Sequence, residues 1–370
     1  MHYVTPTMPA DRKRVPKKKA LVQRPAYDPE QRVVAVTGAY SFIGAELIKR
    51  LERDRRYYKV LAIDIRKPTF PMSKTQFHKI DLTLPTADAD LAAVWKREGV
   101  DTVVHCAFLS TPTHANAWAH ELESIGTMHV LNACAETEVR KLVVWSQTVV
   151  YGAHPLNPNF LSEEHELRGH VSRSRFVKDK VEVERQLRRF RDEHAEMLVT
   201  TLRTAAALGP HIRNFATRFF TRPMAPMLMG YDPLMQLVHE RDVIDAFALA
   251  VDHDFPGEFN IVGDGVLPYS TILAMMGKVP LPMPHFVAYS LSRALWATQV
   301  FDSPPNFLDF LRFLCVADGA KAKRVMGFAP AYDIKATIHD FLGVHAAAYE
   351  GGAADLRDGR PGQPLATGGV

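Results

Sequence analysis

The residues best suited to chemistry begin at Thr37. The run Thr37-Gly38-Ala39-Tyr40-Ser41-Phe42-Ile43-Gly44 follows an apolar, β-branched stretch, RVVAVT (32–37), and leads into AELIKRLERD. In that second stretch Leu47, Ile48 and Leu51 repeat at helical spacing. A pyrophosphate needs bare backbone beside it and a helix N-terminus aimed at it, where unpaired amides and the helix dipole favour negative charge. Gly38 and Gly44 suit that turn and the close helix–strand packing, and Tyr40, Ser41, Phe42 and Ile43 between them belong to the same contact. Asp64 closes the next apolar strand, YKVLAID, twenty residues beyond Gly44. An acid there accepts ribose hydroxyls and repels a 2′-phosphate. Ile65 adjoins it, while Arg66 and Lys67 would suit a 2′-phosphate, so the pattern places NAD ahead of NADP.

A second group lies in the latter half. Arg213, Arg218 and Arg222 are closely spaced, and the last two share a helical face. Guanidinium forks match phosphate oxygens, which points to a nucleotide-sugar diphosphate; a solvated basic face is the plainer alternative. The same segment carries Phe215, Phe219, Phe220, Met224, Met227, Met229 and Met235, an apolar set that leaves a lipid- or sterol-like substrate open. His105 and His239 sit at strand ends and read as hydrogen-bonded structural groups.

Apolar β-rich runs at 32–37, 58–64, 76–81, 100–107, 141–146 and 197–203 alternate with helical patterns up to a long helix at 176–195. One of those helices covers about 115–137. Such alternation predicts parallel strands with right-handed crossovers, an α/β doubly wound sheet of the Rossmann type. The expected division is a dinucleotide-binding domain at 32–204, joined by a late strand near 258–263. Residues 205–257 and 264–345 form a smaller C-terminal substrate lobe.

The 370 residues are 47% hydrophobic and 23% charged, ordinary values for a globular protein, with a formal net charge of +4. Seven basic residues fall between Arg12 and Arg24 in an arm (1–31) with no apolar segment behind it, which excludes a secretory signal. The remainder is near neutral, so the overall charge says little about partners; the arm could touch anionic lipid or nucleic acid, although no nucleic-acid partner is expected. The arm reads as a solvated, disordered leader, as does the glycine-rich tail (349–370). No spanning helix is expected, since no long uncharged apolar run occurs. Helix 285–300 caps the substrate lobe or lies on a membrane surface. The three cysteines, Cys106, Cys134 and Cys315, fit neither a disulfide framework nor a metal site, which suggests a reducing cytoplasm. A homodimer stays open.

VAVTGAYSFIGAELIKRL resembles the TGxxGxxG fingerprint of extended short-chain dehydrogenases/reductases, with Ser41 at the middle glycine. Asp81-Leu82 resembles the pair that contacts adenine, and VVHCA (103–107), with Ala107 and Phe108, the strand and loop behind the cofactor. SQTVVYG (146–152), LRTAAALGP (202–210), HERDV (239–243) and FNIVG (259–263) follow in family order. The chain is most similar to NAD-dependent epimerase/dehydratase relatives, in particular a bacterial UDP-glucose 4-epimerase-like subgroup whose members do not all keep the active-site residues.

The resemblance implies a Tyr-x-x-x-Lys pair in which tyrosine transfers the proton and lysine lowers its pKa and holds the nicotinamide ribose. The matching segment is Phe176-Val177-Lys178-Asp179-Lys180, with Glu184 four residues on. Lys180 fits the lysine, and Phe176 has no hydroxyl. The polarising serine or threonine falls at Gln147, beside Ser146 and Thr148, and a helix asparagine falls at Glu123. An enzyme on this pattern needs a substitute acid/base, for which Tyr151, His154, Glu163, Glu164, His165, His170 and Lys178 are candidates. The competing classes are a non-catalytic dinucleotide-binding sensor or scaffold and a sterol- or lipid-type dehydrogenase. Glu123 beside Lys180 would form a buried ion pair.

Overall fold

The computed structural model describes residues 32–137, 139–171, 174–299 and 303–343; the basic arm, the C-terminal tail and the His170 side chain lie outside the described residues. The chain opens with β1 (Arg32–Thr37), buried at every position as a central parallel strand must be. It continues through α1 (Phe42–Arg53), β2 (Tyr57–Asp64), β3 (Thr75–Lys79), α2 (Ala87–Glu98) and β4 (Thr102–His105). Next come α3 (Asn116–His120), α4 (Gly126–Thr137), β5 (Lys141–Gln147), α5 (Arg175–Glu193) and β6 (Leu198–Thr204).

Between β6 and the last sheet strand lie β7 (Ala206–Leu208), α6 (Phe215–Thr221), β8 (Met224–Leu228), β9 (Leu234–Met235), β10 (Leu237–His239) and α7 (Glu240–Asp252). Then follow β11 (Gly257–Ile261), β12 (Leu267–Pro268), α8 (Tyr269–Met275), β13 (Val279–Met283) and α9 (His285–Ala297).

Seven strands form one sheet in the order β11-β6-β5-β4-β1-β2-β3, and every pairing is parallel. The chain winds one way from β1 to β3 and the other way from β4 onward. The crevice past the C-terminal ends of β1 and β4, where the order reverses, is where open α/β sheets bind ligands. α1 and α7 pack together, and α2 and α4 pack together, covering the sheet with helices.

Two departures from the sequence reading matter for the site. The helix expected over 115–137 is broken by a π-helical turn at Glu121–Ile125, the kind of bulge that re-aims a side chain. Residues 205–257 do not all join the smaller lobe: Val243, Phe247, Ala250 and Val251 of α7 belong to the main core. α7 is anchored there by Lys141, whose buried ammonium donates to the carbonyls of Ala250, Val251 and His253 at 3.2, 3.1 and 2.8 Å and pairs with Asp254 at 2.8 Å. A cation at a helix C-terminus satisfies the carbonyls that lack helical partners.

The smaller lobe has its own core of Leu208, Phe220, Leu237, Tyr269, Ile272, Leu308, Ile338 and Phe341, among others. Its elements include α6, the parallel β8–β13 ribbon, α8 and α9. None of the described helices is long and apolar enough to cross a membrane.

Candidate active site

The turn after β1 is built by sterics. Gly38 has φ +70°, a region side chains rarely adopt, and a Cβ there would lie 2.6 Å from the backbone of Cys106 and Ala107 at the end of β4. A Cβ on Gly44 would run into the Gly38 carbonyl, so α1 is seated directly against the turn. Ser41, where the fingerprint has a glycine, is the N-cap of α1: its Oγ accepts from the Gly44 amide at 3.1 Å. Among the described residues the amides of Phe42 and Ile43 have no hydrogen-bond partner, and the first turn carries no acid. They form an open anion seat at the crevice.

Asp64 accepts from the backbone amides of Tyr40 and Arg66, at 3.0 and 3.1 Å, which fixes the carboxylate at the rim of that seat. Tyr40 and Ile65 are exposed beside it, and the Arg66 guanidinium stands 5.9 Å from the centre of the Tyr40 ring. Asp81 accepts from the Thr83 amide and hydroxyl at 2.9 and 2.7 Å, and Leu82 is buried, its Cβ close against Gly126 of α4. The bare positions at Gly38 and Gly44, the open amides and the fixed Asp64 together fit a dinucleotide.

The π-helical turn delivers Glu123, only 1% exposed, to Lys180 of α5, at 2.9 Å. The same Glu123 oxygen accepts from the Leu109 amide at 2.8 Å, and Lys180 also donates to the Leu109 carbonyl at 3.1 Å. The second Glu123 oxygen is buried without a partner. Burial pushes the Glu123 carboxyl above its ordinary value, against the pull of the Lys180 charge. Aromatic faces wall the ammonium: Phe176 at 4.4 Å, Phe108 at 5.6 Å and Trp145 at 5.9 Å. The expected ion pair is present. Phe108, assigned from sequence to the cofactor, has its ring turned into the core against His105, Trp145 and Lys180, because the apolar wall of the lysine needs it there.

Two catalytic candidates are tied into a buried network. The Ser146 hydroxyl donates to Glu184 at 2.7 Å, and Glu184 is held by Arg203 through two bonds of 2.9 and 2.8 Å. The Tyr151 hydroxyl is buried, donates to Asn260 at 2.8 Å and accepts from Arg203 at 3.0 Å. Burial pushes that hydroxyl up to about 12. Arg203 is the fully buried hub of this network, and its charge needs every one of these partners. Ser146 and Tyr151 are therefore both held in one buried network with Arg203, Glu184 and Asn260. Gln147, one residue beyond Ser146, is half-buried at the end of β5 and makes no side-chain hydrogen bond among the described residues.

Three of the other candidates accept from backbone amides. Glu163 is buried and accepts from the Asn260 amide at 2.8 Å, and His165 accepts from the Ser162 amide at 3.2 Å. Lys178 and Glu164 are exposed. His154 accepts from the Leu156 amide at 3.2 Å. His105 bridges the hydroxyls of Thr37 and Thr127 at 2.7 and 3.0 Å, and burial pushes it down to about 3, so it stays neutral. His239 bonds Asp340 at 2.8 Å and stacks on Tyr332.

Phe176 leads into the second lobe. Its ring centre is 6.0 Å from that of Phe307, which lies 4.7 Å from Phe215. Phe307 and Phe215 line a cavity of about 350 Å³ enclosed by α6, β8, β13 and α9, with Val149 at its edge. Its walls are almost wholly apolar, including Phe219, Met235, Met283 and Leu311, and among the described residues Arg222 is the charged one that lines it. Arg213 and Arg218 are exposed on the lobe surface, so the three arginines do not form one cluster in the cavity. Sequence reasoning missed Phe307, Trp145 and the Leu109 backbone as parts of the site, since none carries a motif.

Residues 34–262, well over half of the chain, match the NAD dependent epimerase/dehydratase family. The chain belongs to that family. A Mycobacterium tuberculosis (strain ATCC 25618 / H37Rv) protein, named only as uncharacterized, is 29% identical over 318 residues, or 84% of this chain and 83% of its own. Sterol-4-alpha-carboxylate 3-dehydrogenase, decarboxylating, of Bos taurus is 31% identical over 122 residues, 33% of this chain and 32% of its own. The fold of this epimerase/dehydratase-family protein is shared by the UDP-glucuronic acid 4-epimerase of Bacillus cereus, solved in complex with UDP-glucuronic acid and NAD. That structure has a TM-score of 0.65 and 18% identity, over 86% of this chain and 100% of the other.

Proposed function

We propose that this chain is an NAD-dependent oxidoreductase or isomerase that holds its dinucleotide in the β1–β4 crevice and moves protons without a tyrosine. The bound nicotinamide would supply the hydride chemistry. The amides of Phe42 and Ile43 would take the pyrophosphate, and Asp64 the ribose hydroxyls, which favours NAD over NADP. Gln147, with its amide uncommitted, would orient a substrate oxygen. Lys180 would hold the exchangeable proton, with Glu123 beside it as the group that accepts or returns it. The observation that carries this reading is the Glu123–Lys180 pair standing against Phe176, an ionisable couple at the position where the resembling enzymes keep tyrosine and lysine.

A nucleotide-sugar substrate has the support of the Bacillus cereus complex and of Arg222. A second reading, dinucleotide binding without turnover, is favoured by the closed bonding of Lys180, whose ammonium already meets Glu123, Leu109 and an aromatic wall. Fluorescence titration with NADH and NADPH is followed by addition of UDP-glucose to the NAD complex, where oxidation of the sugar alcohol would reduce NAD, or of a 3-ketosteroid to the NADH complex, where reduction of the ketone would oxidise NADH. A change in reduced-cofactor signal that disappears in Lys180→Met supports the enzyme. Tight nucleotide binding with neither substrate changing that signal supports the second reading, and failure to bind either nucleotide overturns both.

A further inference from the structure

α9 is apolar on both sides. It turns Tyr289, Leu295 and Trp296 partly inward, with Trp296 stacked on His114, and also turns Phe286 (65% exposed), Val287 and Leu291 to solvent. A helix that only caps a soluble lobe keeps its large apolar side chains on the inward face. The neighbouring β8–β13 ribbon repeats the pattern: Met224, Val279 and Leu281 are exposed, and Met229 projects just beyond β8. Met224, Leu281 and Leu291 also line the apolar cavity, so the exposed patch and the cavity are one continuous apolar surface. Patches of this kind mark docking sites rather than ordinary protein surface.

Charge says what docks. No Asp or Glu occurs from Met197 to Tyr231 or from Gly265 to Phe301, the two segments that supply α6, β8, β13 and α9. The charged residues of those segments are cations, among them Arg213, Arg218, Arg222, Lys278 and Arg293. Pro280 and Pro282 on β13 and Pro226 on β8 remove backbone donors from the ribbon, which disfavours capture of a partner strand. Asp232 and Asp302 stand just past these segments, but α9 and the β8–β13 ribbon themselves carry no acid, and Lys278 and Arg293 lie beside their exposed apolar side chains. That combination matches an anionic lipid interface, where the apolar groups enter the acyl boundary and the cations meet the headgroups.

We infer that the smaller lobe docks on an anionic lipid surface through α9 and the β8–β13 ribbon, and admits from it a neutral, mainly hydrocarbon lipid bearing a hydroxyl or keto group. The cavity takes the hydrocarbon, and Phe307 on its wall packs against Phe176. The inference rests on the proposed function only in treating the cavity as the substrate side of the crevice; docking itself needs no dinucleotide.

The test uses the full chain and phosphatidylcholine vesicles with or without phosphatidylserine, loaded with the fluorescent sterol dehydroergosterol. The protein should sediment with the anionic vesicles, less so at high salt. The double variant Phe286→Asp/Leu291→Asp should lose at least about tenfold in vesicle affinity. Unchanged urea denaturation of that variant shows that its fold is intact. Ala216→Trp, which fills the cavity from α6, should keep vesicle binding and lose sterol uptake. The inference is overturned if the wild type ignores anionic vesicles, or if the double variant binds them as well as the wild type. It is also overturned if the patch instead closes a homodimer that the double variant splits without any lipid binding. Loss of NADH binding in the wild type would refute the proposed function and leave this inference standing.

Discussion

Breaking the Glu123–Lys180 pair is the most informative perturbation of this site. The two charges are 2.9 Å apart, with side-chain exposures of 1% and 4%. At an effective dielectric of about 20 their attraction is about 6 kcal/mol before desolvation is subtracted. Removal of one partner of a buried pair costs about 3–5 kcal/mol, because the other charge is left without compensation. Lys180→Met should therefore destabilise the fold by about 3 kcal/mol. Glu123→Gln, which keeps an acceptor for the Leu109 amide, should cost about 2 kcal/mol. The double variant removes both charges together, so its loss should fall short of the sum by about 2 kcal/mol or more. Urea denaturation at neutral pH, run as a double-mutant cycle, measures this coupling.

The pH dependence gives a second readout. The Glu123 carboxyl is raised above its ordinary 4.5 by burial, so the native state holds that proton to higher pH than the unfolded chain does. Its contribution to stability is complete below about 4.5 and is lost as pH rises through the raised value. Glu123→Gln should remove that decline. A coupling below about 0.5 kcal/mol, or an unchanged pH profile, would refute the pair as an energetic unit.

Gly38→Ala should cost about 3 kcal/mol or more and abolish NADH binding, since it combines φ +70° with a backbone clash; native-like stability with intact NADH affinity would show that the turn relaxes freely. Phe176→Tyr places a hydroxyl beside Lys180 and should raise the rate of NADH oxidation by about 10²-fold; an unchanged rate would mean that protons bypass this position. Lys141→Met removes the cation that holds the C-terminus of α7 and should lower stability by about 3 kcal/mol in urea denaturation, with a loss under about 0.5 kcal/mol ruling out the anchoring role.

Much of the dinucleotide half was legible in the residues. The alternation of apolar runs announced the parallel sheet, because parallel strands need both faces covered and so lose the polar half of their pattern. The turn at Gly38 and Gly44 was readable because only glycine tolerates so close a backbone approach. The fate of Ser146 and Tyr151 was not readable. A hydroxyl near a site looks the same in sequence whether it faces a substrate or a buried guanidinium, and Arg203, Glu184 and Asn260 are far from both along the chain. α7 was assigned to the wrong lobe for a related reason: its apolar face says that it is buried, not against which core.

The sequence by itself determined the sheet, the anion-binding turn, the acid at Asp64 and the missing hydroxyl at Phe176, because each depends on local backbone geometry or on the identity of one residue. Only the tertiary structure decided what surrounds Lys180, that α9 shows Phe286, Val287 and Leu291 to solvent, and that Phe176 packs on Phe307 at the wall of an apolar cavity. Those features arise where segments far apart in the chain pack together, and packing partners are fixed by the shape of the whole fold, not by spacing along the chain.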